Sequence, residues 1–482
     1  MNFFLVLNMT GTMLLLTSCF MIFPLLVSAI QKGSDLQAFL ASFTTSIIAG
    51  LLLFFSTKKY LKREIKHREG FAIVTMTWLA MSLAGSLPYL FSGVTPTFTD
   101  AFFESIAGFT TTGSSVLTNL EDLPMGILLW RSLTQWMGGM GIIVFSLAIL
   151  PMLGAGGMQL FKAEVPEIEV EKLKPRVIDM AKSLWYIYGG LTLILAGLLF
   201  VAGMGIFDAV CHALTTMATG GFSTKTASIA YFQSYYIDMI ISAFMFMAGI
   251  NFSLHFYALR GDFSRFTKSS EFKFYMGITL IAITAVTLNI MTADNLSLSE
   301  AFRYACFQVI SIISTTGYAT ADYELWPALS QMLLIVLMFL GGMVGSTAGG
   351  MKQVRILLML KQAYREMYHL IHPSAITALR LDKKHIEKET QGGIWGYLFL
   401  FILIMAAATI FMTALGLDLI TAASTVLSSM SNVGPALGDA GPAENYSSLP
   451  DAGKWVLGLC MLMGRLEIYT VILLFTPMFW RK

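Results

Sequence analysis

The sequence predicts an all-α integral membrane protein, in which four repeats of span, half-length helix, loop and span surround a common axis behind a two-span hairpin. Three observations predict it. The 482 residues are 56% hydrophobic and 12% charged, with mean hydropathy +0.70, whereas soluble domains carry about 25% charged residues. Apolar runs long enough to span a bilayer recur along the whole chain. Four shorter apolar runs each end in a few small or hydroxyl residues and a glycine. They read Thr110-Thr111-Thr112-Gly113, Ala218-Thr219-Gly220-Gly221, Ser314-Thr315-Thr316-Gly317 and Ser431-Asn432-Val433-Gly434.

A helix needs about 20 apolar residues to cross the hydrocarbon core. Runs at 5–30, 37–57, 71–92, 127–152, 183–204, 235–258, 274–293, 328–345, 394–416 and 453–478 qualify, so ten spans are expected. The first run has no charge before Lys32. It lacks the basic start and small-residue cleavage site of a signal peptide, so it is expected to be retained. Basic links alternate with links poor in Lys and Arg. The basic ones are Lys58–Gly70, 159–182, 259–273 and 352–391, together with Arg481-Lys482; link 93–124 holds no Lys or Arg. The positive-inside rule then puts the basic links and both termini in the cytoplasm.

Each of the four other-side links contains an extra apolar run of about 12 residues, which as helix reaches about 18 Å. Such a run cannot span; it can re-enter and stop near the midplane. Non-helical backbone is tolerated there only inside protein or along a water-filled path. Alignment on the four glycines brings Ala101, Ala209, Ala305 and Ala422 to one register twelve residues earlier, and Thr111, Thr219, Thr315 and Asn432 to another two residues earlier. The expected organisation is a hairpin at 1–66 and repeats at 67–160, 161–262, 263–390 and 391–482, the third with an interrupted inner helix.

Four glycine-containing, carbonyl-rich loops around one axis are what a cation filter needs, because a filter replaces an ion's water shell with oxygens. Glycine turns its backbone into left-handed conformations freely. Each half-helix also aims its partly negative C-terminal end at the axis, favouring cations. The candidate ion-binding residues are Thr110, Thr111, Thr112, Gly113, Thr219, Gly220, Gly221, Thr315, Thr316, Gly317, Asn432, Val433 and Gly434. The fold class is therefore four pseudo-repeats of span, pore half-helix, filter loop and span around a central pore. Asp100 and Asp208 fall near two half-helix starts, where a role as helix-end carboxylates is favoured over ion binding.

The eighth run is interrupted by Gly345, Ser346, Thr347, Ala348, Gly349 and Gly350, followed by Lys352. Glycine and small polar residues continue a helix poorly. This segment reads as a gate, or as a site of close packing between helices. Arg465 and Glu467 lie deep in the last run. An arginine there costs roughly 2.5–3.5 kcal/mol on insertion scales and must face protein or water. Arg465 either bars the pore as a fixed positive charge or binds another helix or its carbonyls. At i and i+2, Arg465 and Glu467 do not share a helix face. Asp238 is expected at the wet end of its span.

Cys19, Cys211, Cys306 and Cys460 have no metal-binding spacing and read as apolar packing residues. No nucleophile–base pair, metal cluster or phosphate loop is legible, which argues against an enzyme. No nucleic-acid partner and no cofactor are expected. A coupled symporter should carry titratable groups at the midplane. Outside Arg465 and Glu467 this reading finds none, which favours a channel over a proton- or sodium-coupled carrier.

The stretches DAFFESIAGFTTTGSS, QWMGGMGIIVFSLAILPMLGAGGMQLFKAE, ATGGFSTKTASIAYF, GSTAGGMKQVRILL and GRLEIYTVILLFTPMFWR resemble the TrkH/TrkG family, the membrane subunits of bacterial Trk potassium uptake systems in the Trk/Ktr/HKT superfamily. The leading hairpin favours Trk over Ktr. The resemblance implies a potassium-conducting homodimer in the bacterial inner membrane. It also implies a gating loop at Gly345–Gly350, a pore-facing Arg465 and a cytoplasmic TrkA-like nucleotide-binding ring docked on the basic face. Glycine at 113 fits potassium, since family members with serine there lean to sodium. Ala348 departs from the family's GSTGGG pattern, and Asn432-Val433 from its threonine pattern.

Overall fold

The computed structural model describes residues 1–60, 66–148, 173–293, 295–375, 377–382 and 384–481. The expected boundary at 160/161, the start of the basic link 159–182, and Gly154, Gly156 and Gly157, which the sequence suggests allow close helix approach, lie outside them. Long apolar runs fold as helices here because a helix satisfies all its own backbone hydrogen bonds, a requirement in lipid. The order begins with a hairpin of α1 (Phe3–Gln31) and α2 (Leu36–Thr57). Then come α3 (His67–Ser92), half-helix α4 (Phe98–Phe109) and α5 (Met125–Ala148). Next are α6 (Leu173–Val201), half-helix α7 (Ile206–Met217), and α8 (Tyr235–Ala248) with α9 (Phe252–Leu259). They are followed by α10 (Ser270–Ala293), half-helix α11 (Leu298–Ile313), α12 (Ala328–Leu340) and α13 (Gln353–Ile371). Last come α14 (Lys388–Ala414), half-helix α15 (Leu419–Ser431), α16 (Asp451–Arg465) and α17 (Ile468–Phe475). A two-residue antiparallel pairing, Arg380 with His385 and Leu381 with Lys384, sits between α13 and α14.

Among the described residues, six helices are long and apolar enough to cross a membrane, or seven if α8 and α9 count as one bent span. Three of the ten expected runs do not continue as single helices. The run 235–258 bends by 101° between Ala248 and Phe252. The run 328–345 stops at Leu340, and the run 453–478 breaks at Leu466 and Glu467. Mean hydropathy does not register such breaks, because glycine and one charged residue in an apolar run barely change it.

The hairpin is packed closely. A methyl on Gly11 would sit 2.8 Å from Leu53 Cβ, and Asn8 donates to Phe54 O (3.0 Å) and Thr57 Oγ1 (2.9 Å). It docks on α5 through Asp35, which accepts from Ser28 Oγ (2.6 Å) and Ile127 N (3.2 Å). The outer faces of α1, α2, α6 and α14 expose Leu26, Leu52, Leu193 and Phe399, as a lipid-facing surface does. Cys19 lies on that outer face, while Cys211 and Cys460 are buried. Asp238 lies in the first turn of α8, at the end of its span, but its side chain is not exposed there. It is buried and paired with Arg303 on α11 at 2.7 Å.

Candidate functional site

The half-helices α4, α7, α11 and α15 end in one shared turn. The residue two before each glycine is left-handed, with φ of 52° at Thr111, 51° at Thr219, 55° at Thr315 and 54° at Asn432. Two hydrogen bonds close each turn. One runs from the left-handed residue to the carbonyl three before it: Thr111 to Gly108, Thr219 to Thr216, Thr315 to Ile312 and Asn432 to Ser429, at 2.9–3.3 Å. The other runs from the next residue back five: Thr112 to Ala107, Gly220 to Thr215, Thr316 to Ser311 and Val433 to Ser428, at 2.9–3.0 Å. This is the Schellman way of ending a helix. Its left-handed position is usually glycine or asparagine; threonine there costs about 1–2 kcal/mol. Three threonines at one register are stored strain, the kind that clusters at functional sites.

The glycines close a ring. A Cβ on Gly113 would run into Gly220 O, one on Gly221 into Thr316 O, one on Gly317 into Val433 O and one on Gly434 into Thr112 O. In each case the carbonyl belongs to the residue before the glycine of the next loop. The fourth contact returns to the first loop, so the four loops surround one axis in chain order. The glycines are themselves left-handed, with φ from 78° to 104°, so both backbone and space exclude a side chain.

Behind the ring, the residue nine before each glycine is fully buried and polar: Glu104, His212, Gln308 and Thr425. Glu104 accepts from Val116 N (3.0 Å), Ser115 Oγ and Arg131 Nε (2.8 Å). A ring nitrogen of His212 bonds Ser223 Oγ (2.9 Å), and Gln308 donates to Tyr318 O (3.3 Å). Thr425 bonds its own helix, while Ser428 and Tyr446 hold Gly434 O in its place at 2.9 and 2.6 Å. Arg131 and Glu104 were not expected as a pair. They are 27 residues apart on separate helices, and the legible signal was the arginine inside the apolar run LLWRSL.

Asp100 and Asp208 sit in the first turns of α4 and α7. Asp100 accepts from Lys454 Nζ (2.7 Å) and from Thr97 Oγ1, and Asp208 accepts from Thr224 Oγ1 (2.6 Å) beside Lys225. On the loops' outer side, Tyr323 donates to Ala436 O (3.0 Å), and Glu324 accepts from Gly438 N. Partial burial raises the Glu324 pKa, against that hydrogen bond, which lowers it.

Gly341–Lys352 crosses the C-terminal ends of the half-helices. Gly349 N donates to Thr315 Oγ1 (2.6 Å), Thr347 Oγ1 donates to Met217 O (3.0 Å), and a Cβ on Gly349 would strike Ser431 O. The segment pairs with the bend between α8 and α9: Met343 N to Gly249 O and Phe252 N to Gly345 O, both 3.0 Å. Glu271 Oε1 accepts from Val344 N (2.9 Å) and Val354 N (3.2 Å), clamping both ends. Lys352, itself left-handed at φ 73°, bonds Ala348 O through Nζ.

Arg465 is buried and binds carbonyls. Nη1 donates to Thr347 O (2.7 Å) and Nη2 to Gly138 O (2.9 Å). It therefore ties the interrupted segment to α5. Glu467 faces elsewhere and pairs with Arg355.

Comparison with known proteins places these features in context. A family model described as a cation transport protein, TrkH, matches residues 35–482. The Trk system potassium uptake protein TrkH of Halomonas elongata is 42% identical over 489 residues, covering 100% of both chains. Its Escherichia coli counterpart is 40% identical over 490 residues, again 100% of both. The crystal structure of the potassium transporter TrkH from Vibrio parahaemolyticus superposes with TM-score 0.92 at 37% identity, covering 100% of both chains.

Proposed function

The chain belongs to the TrkH family of cation transport proteins, and from that premise we propose that it takes up potassium through a gated pore rather than catalysing a reaction. The four glycine loops are its filter, and Gly345–Gly350 with Lys352 and Arg465 is its gate. The observation that carries this reading is the closed ring of glycine-to-carbonyl contacts. One chain thereby supplies four carbonyl-bearing loops around one axis, the arrangement that selects a cation by replacing its hydration shell. The half-helices add their negative ends at the same place.

The gate reading rests on the segment's position. It lies against the C-terminal ends of three half-helices and is bonded to Thr315 of the third loop. Small residues let it lie that close, so packing and gating are compatible here. Both termini and the basic links belong in the cytoplasm of the bacterial inner membrane by the positive-inside rule. The family resemblance extends the reading to a homodimer under a TrkA-like nucleotide-binding ring.

Flux into liposomes, with potassium or sodium as the only permeant cation, tests the reading. Potassium flux exceeding sodium flux, driven by its own gradient without proton or sodium movement, is the expected result. Potassium entry that requires a proton or sodium gradient would establish the symporter instead.

A further inference from the structure

The four loops are held in two different ways, and the difference alternates around the ring. Loops one and three tie themselves, with Thr110 bonding Thr112 and Ser314 bonding Thr316 through their hydroxyls at 2.8 Å. Loops two and four lack that pair, having Ala218 with Gly220 and Ser431 with Val433 at those positions. Loop four is held through Asn432, whose amide donates to Thr112 Oγ1 and Met461 O at 2.9 Å. Loop two is held from α5.

Gln135 Nε2 donates to Gly220 O (2.6 Å), and its Oε1 accepts from Phe222 N (3.0 Å). The amide straddles Gly221 and is fully buried. One turn earlier on the same face, Arg131 donates through Nη1 to Ser223 O (2.8 Å) and lies 4.2 Å over the Phe222 ring. Gly220 is glycine where the other loops carry Thr112, Thr316 and Val433, because a Cβ there would occupy the Gln135 amide. The carbonyl that Gln135 holds is the one seated on Gly113.

We propose that Gln135 is a specificity-determining positioning residue: it sets the Gly220 carbonyl, and through it the spacing between the first and second loops, without touching the ion. The inference rests on the potassium-filter reading. Ion preference then depends on a side chain outside the glycine loops.

The test uses purified full-length protein in detergent and measures the potassium and sodium concentrations that raise its melting temperature by the same fixed increment. A bound ion stabilises the folded state by mass action, so the readout needs neither an open gate nor a partner. Gln135→Met keeps the volume and removes both hydrogen bonds. Gln135→Glu keeps the acceptor for Phe222 N and removes the donor. Gln331→Met removes an amide that donates to Glu324 O and Trp326 O, away from the ring. Both Gln135 variants should lower the sodium-to-potassium ratio of equally protecting concentrations by about three- to tenfold, the equivalent of one buried hydrogen bond. Gln331→Met should leave the ratio unchanged. If Gln135→Met yields no folded protein, the Gln135→Glu ratio decides. A lower melting temperature with an unchanged ratio would reduce Gln135 to a packing role and overturn the proposal. A wild-type ratio near one would instead sink the potassium-filter reading itself.

Discussion

Two glycine-rich regions meet at the centre of this molecule and are built on opposite plans. The glycine ring, proposed as the filter, is assembled from backbone. Each glycine Cα seats the neighbouring loop's carbonyl, and each loop is closed by the same pair of main-chain hydrogen bonds. The segment Gly341–Lys352 is assembled from side chains reaching in: Arg465 and Glu271 from elsewhere, Lys352 and Thr347 from within. Its glycines Gly341, Gly349 and Gly350 exclude a Cβ as the ring glycines do, while its Ala348 is buried. Four mutually supporting loops cannot move singly. A single loop held by a few replaceable hydrogen bonds can have a second arrangement of similar energy, which is what switching requires.

If that contrast is right, the largest effect should come from adding one methyl to the ring. At Gly317, with φ 81°, a Cβ would run into Val433 O and lie 2.7 Å from Pro435 Cδ. Left-handed strain and overpacking together cost several kcal/mol, so Gly317→Ala should cut potassium flux by about a hundredfold or more. Liposome flux, normalised to folded protein, checks it. Near-normal flux would mean that the loops flex independently, and the comparison would fail.

The proposed gate should respond in the opposite direction. Arg465→Ala removes two charge-assisted hydrogen bonds, to Thr347 O and Gly138 O. Each such bond contributes roughly 1.5–3 kcal/mol, so losing even part of that should raise flux by about tenfold with ion preference unchanged. A changed preference would show that Arg465 shapes the filter as well as the gate. Unchanged or reduced flux would remove it from the gate.

The same contrast explains what was legible beforehand. The ring was readable because backbone geometry demands particular residues at a fixed register: glycine where a carbonyl seats, and Thr111, Thr219, Thr315 and Asn432 two residues earlier. The half-helices were readable as runs too short to span, and they measure 12, 12, 16 and 13 residues. The buried polar framework was not. Glu104 with Arg131, Asp238 with Arg303 and Lys454 with Asp100 each join residues far apart in the chain, and apart from Arg131 inside its apolar run each charge alone looks like a surface residue. Taking one partner from such a buried pair exposes the other's full desolvation cost, so these pairs matter, yet the sequence does not announce who pairs with whom. The breaks at Gly249–Asn251 and Leu466–Glu467 escaped for a related reason. They depend on pairing with the interrupted segment and with Arg355, not on local helix propensity.

The finest test of the comparison lies at Glu271. Its Oε1 receives both Val344 N and Val354 N, so one carboxylate staples the two ends of the interrupted segment where α10 begins. Glu271→Gln preserves shape and an acceptor oxygen but removes the charge. Hydrogen bonds to a charged group exceed neutral ones by about 1 kcal/mol, so the staple should weaken without breaking and flux should rise about two- to fivefold. That is less than the expected effect of Arg465→Ala, and the order is informative. Arg465 joins the segment to α5 across the axis, whereas Glu271 joins it to the helix that begins beside it. A larger rise in Glu271→Gln than in Arg465→Ala would shift control of opening to the link ahead of α10. That would make the basic residues Arg265 and Lys268 of this link the next positions to vary.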